Sequence, residues 1–249
     1  MERDVLVSIV TVCLNSQNTI EQTIQSVLNQ TYSNIEYIII DGGSVDDTLD
    51  IIKKYETAFG DRLKWLSESD KGVYDAINKG IRMSRGDIIG VLSSDDWYEK
   101  NAVEKVMEHY DREFPCQVIY GMFRTIKDNQ EPKITFINHS FLESEMLCHE
   151  ACFISRKAYR LTGLYSLRYR IASDYDLLLK MTEHEKVRFT PVMEVLVNFR
   201  LGGISNDDER LKEQFAIRAK HFHYPKEKYA IYMMWFKVKI VVKKMLGAK

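Results

Sequence analysis

Ile35-Glu36-Tyr37-Ile38-Ile39-Ile40-Asp41-Gly42-Gly43-Ser44 decides how this chain folds. A mostly apolar, β-favouring run enters an acid, a glycine pair and a serine. Such a run, bounded by turn residues, reads as a strand buried on both faces. Ser44 with Asp47 offers a cap for the helix carrying Val45, Leu49 and Ile52. The same grammar occurs three more times. Residues 5–12 read as a strand, followed by Ile20, Ile24, Val27 and Leu28 at helical spacing, with Asn18 and Glu21 placed as a capping box. Residues 62–66 read as a third strand, followed by the stripe Val73, Ala76, Ile77 and Ile81. Residues 88–92 read as a fourth, running into Ser93-Ser94-Asp95-Asp96. Strand and helix alternating at roughly 25-residue spacing predict an α/β fold with a mainly parallel sheet and right-handed crossovers.

After Asp96 the pattern loosens. Shorter strands are expected at 118–123, 134–137, 151–154 and 192–199, and helices at 99–111, 174–182 and 208–222. The one expected boundary falls at Tyr224-Pro225, which divides a domain over 1–224 from a helical tail over 225–249. Apolar residues form 45% of the 249 and charged residues 29%, the balance of an ordinary soluble globular chain. A net charge of -1 argues against a nucleic-acid partner. The tail departs from that balance: residues 226–249 hold seven lysines and one glutamate, a local +6 against -7 on the rest. Interleaved Tyr229, Ile231, Trp235 and Phe236 suit a membrane surface, with lysine stems reaching outward; a helix packed on the domain is the alternative. The four cysteines, Cys13, Cys116, Cys148 and Cys152, fit no disulfide framework or zinc spacing and read as free thiols in a reducing cytoplasm. The N-terminus lacks a signal-peptide pattern, and no run approaches the ~20 apolar residues of a membrane span.

Chemistry concentrates where the strands end. Open α/β sheets bind ligands outside the carboxyl ends of their strands. Asp41 there can accept hydrogen bonds from a base or ribose, while Asp46 and Asp47 suit a helix start. Asp95 and Asp96 repel each other and lose hydration if covered, costs that a hard divalent cation bridging to a diphosphate relieves. A helix cap is the competing reading, and one acid suffices for that. Thr11, Val12 and Asn15 follow the first strand without any Gly-rich phosphate loop, which removes the dinucleotide-binding reading.

Thr11-Val12-Cys13-Leu14-Asn15, Asp41-Gly42-Gly43-Ser44, Glu68-Ser69-Asp70-Lys71-Gly72, Leu92-Ser93-Ser94-Asp95-Asp96 and Ser173-Asp174-Tyr175-Asp176 occur in that order. Together they resemble family 2 glycosyltransferases of the GT-A fold over about residues 5–205, most of all bacterial enzymes of capsule, exopolysaccharide and lipopolysaccharide synthesis. The resemblance implies a mainly parallel nucleotide-binding sheet flanked by helices, with a donor nucleotide half at about 1–98, a mixed acceptor half at 99–224 and the helical tail. It implies an inverting hexosyl- or N-acetylhexosaminyl-transferase using Mn²⁺ or Mg²⁺ and a nucleoside diphosphate sugar, UDP by default. The implied acceptor is a glycan or lipid-linked hydroxyl, met at the cytoplasmic face of the membrane. Thr11, Val12, Asn15, Asp41, Asp70, Lys71 and Ser94 fall at nucleotide-contacting positions. Asp95 matches the metal-binding acid, with Asp96 in reserve and His149 as a further candidate ligand.

Asp174 matches the general base, with Asp176 in reserve. Arg200 and Gly203 are expected to close over the diphosphate. Three positions depart from the family pattern: Ser93 where the first metal acid belongs, Ile77 for an arginine and Ser173 for a glutamate. They keep open a non-catalytic nucleotide-sugar-binding scaffold, and, behind it, a sugar nucleotidyltransferase.

Overall fold

The computed structural model describes residues 5–127, 130–202 and 207–225, with 227, 228, 231, 234 and 235. Gly203 and most of the tail lie outside the described residues. Strands β1 (Val7–Cys13), β2 (Ile35–Asp41), β3 (Leu63–Ser67) and β4 (Ile88–Ser93) are parallel, in the order β3-β2-β1-β4. All seven residues of β1 and of β2 are buried, as mostly apolar strands covered on both faces require. The covering helices are α1 (Ile20–Leu28), α2 (Thr48–Lys54), α3 (Glu56–Phe59) and α4 (Val73–Met83). Helix α1 buries Ile20, Thr23, Ile24 and Val27, one stripe at helical spacing. Helix α4 lies close on β1 because Gly80 faces the sheet, where a Cβ would come within 2.3 Å of Val10 Cγ1.

The sheet continues with the second half of the chain: β5 (Trp97–Tyr98), β6 (Gln117–Ile126), β7 (Lys133–Thr135), β8 (Cys152–Ser155) and β9 (Arg188–Arg200). The order runs on from β4 as β8-β6-β9-β5, with β7 on β6. Strand β8 is antiparallel to β4 and to β6, whereas β9 is parallel to β6 and antiparallel to β5. Helices α5 (Ala102–Glu108), α6 (Arg156–Thr162), α7 (Ser173–Thr182) and α8 (Asp207–His221) complete the fold. Two apolar clusters, one on each face, hold it together: Ile9, Ile39 and Phe153 in one, Val10, Ile40 and Tyr175 in the other.

Three local expectations are corrected. Helix α5 is shorter than 99–111, because residues 97–98 pair with β9 before the helix begins. Asn18 and Glu21 form no capping box; Thr19 precedes α1 without a side-chain cap. Ser44 does not cap α2 either, because its hydroxyl donates to Asp41, and Asp46 takes the Thr48 N–H instead, at 3.1 Å. No helix among the described residues is long and apolar enough to cross a membrane.

Candidate active site

After β3 the chain returns past β1 to add β4, so the strand order reverses between β1 and β4 and a crevice opens at their carboxyl ends. The loops rimming it are tied to one another. Asn15, at φ 50, sits in the left-handed region that asparagine tolerates. There its N–H donates to Ser44 Oγ at 2.7 Å and its Oδ1 accepts the Val45 N–H at 3.0 Å. Ser94 Oγ lies 2.8 Å from Ser16 Oγ, joining the β4 loop to the β1 loop.

Asp41 is fully buried and takes donors from Gly43 N–H (3.0 Å), Ser44 N–H (2.9 Å), Ser67 Oγ (2.6 Å) and the Ser44 hydroxyl. Burial alone would push its carboxyl up, but the Ser44, Ser67 and Gly43 donors outweigh that and hold it low. It therefore shapes the loop in which β2 ends. Gly42 has no Cβ because Asp70 Oδ2 would lie 2.7 Å from one, so the Asp70 carboxylate crosses directly over this loop. Lys71 is exposed on the same β3–α4 connection. Thr11 and Val12 require correction: β1 extends to Cys13, which leaves Thr11 wholly buried under the Tyr37 hydroxyl (3.0 Å) and Val12 in the apolar core.

At the end of β4 the structure brings Asp95, Asp96 and Arg200 together. The Arg200 N–H donates to Asp96 Oδ1 at 2.7 Å, its Nε to the Asp95 carbonyl at 3.3 Å, and its guanidinium lies 5.2 Å over the Trp97 ring. Asp96 is 1% exposed, and its Oδ2 is buried with no hydrogen-bond partner. Desolvation, then the charge of Glu150, push the Asp96 carboxyl up to about 9. Asp95 is raised by the same two causes. Glu150 stands on the 3₁₀ turn His149–Ala151, where Oε1 accepts from Ser93 Oγ at 3.0 Å.

Among the described residues no three His, Cys, Asp or Glu side chains gather closely enough to hold an ion by themselves. The donor set still fits a hard divalent cation. Mg²⁺-like ions commonly take one or two carboxylates plus substrate phosphates, and the buried Asp96 Oδ2 is an oxygen left without a hydrogen-bond partner. His149 Nε2 bonds the Tyr165 hydroxyl in a buried pocket.

Asp174 lies in the first turn of α7, in the second half of the chain. It is 8% exposed, and its Oδ1 lies 2.8 Å from the Tyr74 hydroxyl and 2.9 Å from the Tyr175 N–H. Desolvation raises its carboxyl above the usual range, against the opposing charge of His149 and the Tyr74 hydrogen bond. The segment before it is fixed from α8, where the Glu213 carboxylate accepts the N–H groups of Arg170, Ile171 and Ala172 at 2.8 to 3.0 Å. Asp176 is corrected as a reserve base: it is 1% exposed and bonded by Lys220 (3.1 Å) and His221 (2.9 Å), besides its ion pair with Lys180. Despite desolvation, those partners hold its carboxyl far below the ordinary value, so it is a poor proton acceptor.

Sequence reasoning missed Tyr74, Glu150 and Glu213 as site-forming residues. Tyr74 falls one position off the apolar stripe of α4, and Glu150 adjoins the histidine that drew attention. Glu213 acts over 41 to 43 residues of separation and leaves no local signal.

Comparison with known proteins agrees with this geometry. Residues 8–162 match the family described as glycosyl transferase family 2. A Mycobacterium bovis protein named PGL/p-HBAD biosynthesis glycosyltransferase is 31% identical over 211 residues, 82% of each chain. Escherichia coli chondroitin synthase is 33% identical over 189 residues, 74% of this chain but 27% of that longer protein. In fold, the chain is similar to S. aureus TarS crystallised with UDP-GlcNAc, at a TM-score of 0.69 and 15% identity over 87% of this chain and 66% of that one. The sheet is thus that of a GT-A glycosyltransferase, and the chain belongs to glycosyl transferase family 2.

Proposed function

We propose that this glycosyltransferase inverts the anomeric centre as it moves a sugar from a nucleoside diphosphate sugar to a hydroxyl of a glycan or lipid-linked acceptor. The observation that carries this reading is Asp174: a buried carboxylate with raised proton affinity, set on the second half of the chain apart from the Asp95-Asp96 pair. An inverting displacement needs that division, with anionic leaving-group chemistry at one pole and a proton acceptor at the other.

The nucleoside sits over the loops that Asn15, Asp41 and Ser44 tie together, with Asp70 and Lys71 on the neighbouring loop and Ser94 beneath. UDP is the nucleotide we assign, supported by the UDP-GlcNAc bound to TarS. Arg200 adds positive charge beside the diphosphate. Asp95 and Asp96 would hold Mn²⁺ or Mg²⁺, which supplies Lewis acidity for the charge that grows on the departing diphosphate. Asp174 receives the acceptor hydroxyl proton as the oxygen attacks. Its raised proton affinity makes it a stronger base, and Tyr74 and the Glu213-clamped segment hold it in place.

The chondroitin synthase relative supports a role in polysaccharide synthesis. A basic tail with Ile231, Met234 and Trp235 exposed supports peripheral contact with the inner membrane face. The test is transfer from UDP-sugars to acceptor extracts, with product anomeric configuration read by NMR. Asp174→Asn is expected to lower turnover at least ~10²-fold while UDP affinity stays within about twofold. Retained turnover refutes the base assignment, and nucleotide binding by the unmodified chain without transfer to any acceptor favours a scaffold.

A further inference from the structure

Ser93 is the weak point of the acidic loop, since the family pattern places a carboxylate there and a hydroxyl carries no charge. The fold brings a carboxylate to it from elsewhere. The turn bearing Glu150 lies beside the end of β4, and Glu150 Oε1 accepts the Ser93 hydroxyl proton at 3.0 Å. Its other oxygen takes only the weak thiol donor of Cys148, at 3.6 Å. Among the described residues no lysine or arginine forms an ion pair with Glu150. The buried Asp96 Oδ2, with no partner, is an independent sign that a positive group belongs in this pocket.

We infer that Ser93 and Glu150 act together as the replacement for the missing carboxylate. The Ser93 oxygen stands at the strand position of the absent acid, and Glu150 holds its proton and supplies the negative charge. A hydroxyl whose proton is held by a carboxylate is a more basic oxygen, and outer carboxylates tune metal ligands in this way. An oxygen donor so polarised suits Mn²⁺ or Mg²⁺. Glu150 is thus a positioning residue acting through Ser93. The inference rests on the cation reading given under Proposed function.

The experiment measures Mn²⁺ uptake by the full chain with saturating UDP, from the electron paramagnetic resonance signal of free Mn²⁺. The variants are Glu150→Gln, Ser93→Ala and the double variant Ser93→Asp/Glu150→Gln, with thermal melting as a check of folding. Glu150→Gln is expected to weaken Mn²⁺ binding by roughly 10–100-fold, the usual effect of losing an outer partner, and Ser93→Ala, which removes the ligand oxygen itself, by at least as much. The double variant is expected to recover most of that loss, because the charge returns to the strand itself. Folded Glu150→Gln that binds Mn²⁺ as tightly as the unmodified chain overturns the inference and leaves the cation reading intact. So does a folded double variant that recovers nothing. If the unmodified chain takes up no Mn²⁺ with UDP, the cation reading fails first.

Discussion

Replacing Tyr74 with phenylalanine should move the acidic limb of the pH–rate profile upward by about 0.7 of a pH unit. The size follows from how one proton is shared. The Tyr74 hydroxyl lies 2.8 Å from Asp174 Oδ1 and 2.7 Å from the Ile171 carbonyl, and it carries a single hydrogen. While Asp174 is ionised, the carboxylate is the stronger acceptor and takes that hydrogen. Once Asp174 is protonated, the Ile171 carbonyl can take it instead. Phenylalanine therefore removes the difference between a charged and a neutral hydrogen bond, about 1 kcal/mol, rather than a whole bond. At 1.36 kcal/mol per unit this is about 0.7 of a unit. The lost donor favoured the charged form, so the Asp174 pKa rises and activity falls at low pH. Well above the limb the rate stays near that of the unmodified enzyme, since the base is then ionised in both.

The other groups facing Asp174 are His149, Glu150, Cys152 and Tyr165, all unchanged by this substitution. The phenylalanine ring keeps the stack on Tyr165, 5.6 Å between centroids, so the fold should hold. The assay is kcat/KM across about pH 5 to 9 with donor KM measured in parallel; an acidic limb that stays put, or moves down, would falsify the coupling of Tyr74 to Asp174.

Two further predictions concern stability. Asp176→Asn should lower unfolding free energy by about 2–3 kcal/mol, because it strips the buried acid from Lys180, Lys220 and His221; the partly exposed lysines keep the figure below that of a sealed pair. The Asp176 pKa is depressed, so its contribution is present above the unfolded value near ~3.9 and lost as pH falls. The His221 pKa is raised, so its contribution is complete below ~6.5 and lost as pH climbs through the higher folded value. Melting temperature against pH should flatten on the acid side in this variant, and an unchanged acid slope counts against the clamp. Gly80→Ala should destabilise by about 1–3 kcal/mol in urea, since the new methyl meets Val10 Cγ1 at 2.3 Å and Ile40 Cγ1 at 3.3 Å. A more stable variant, as helix propensity alone would give, refutes the close α4–β1 contact.

The parallel half was legible because its signal is local and redundant. Ile35–Asp41 and Ile88–Ser93 are short, mostly apolar and β-branched runs bounded by turn residues, the pattern of strands buried on both faces. Strand β5 was illegible because two residues carry no period; it exists only through pairing with Val197 and Asn198. The site was legible as chemistry and not as access. Thr11 and Asp41 stand near the carboxyl ends of β1 and β2, yet the depth at which each side chain comes to rest depends on Tyr37 and Ser67, partners 26 residues away in each case. Glu150 was illegible because nothing in the sequence pairs it with Ser93, 57 residues earlier.

The junction of β5 with β9 also governs when the protein becomes competent. The Arg200 N–H grips Asp96 across a separation of 104 residues, and closing a loop of that length costs about 4 kcal/mol of chain entropy beyond a constant. That cost is met by the long β6–β9 ladder, whose strand β9 follows every other described strand in chain order. A nascent chain already containing residues 8–162, the whole family-matching region, still lacks the clasp on its acidic loop. The clasp on Asp96 therefore forms only once β9 has been made and paired with β6.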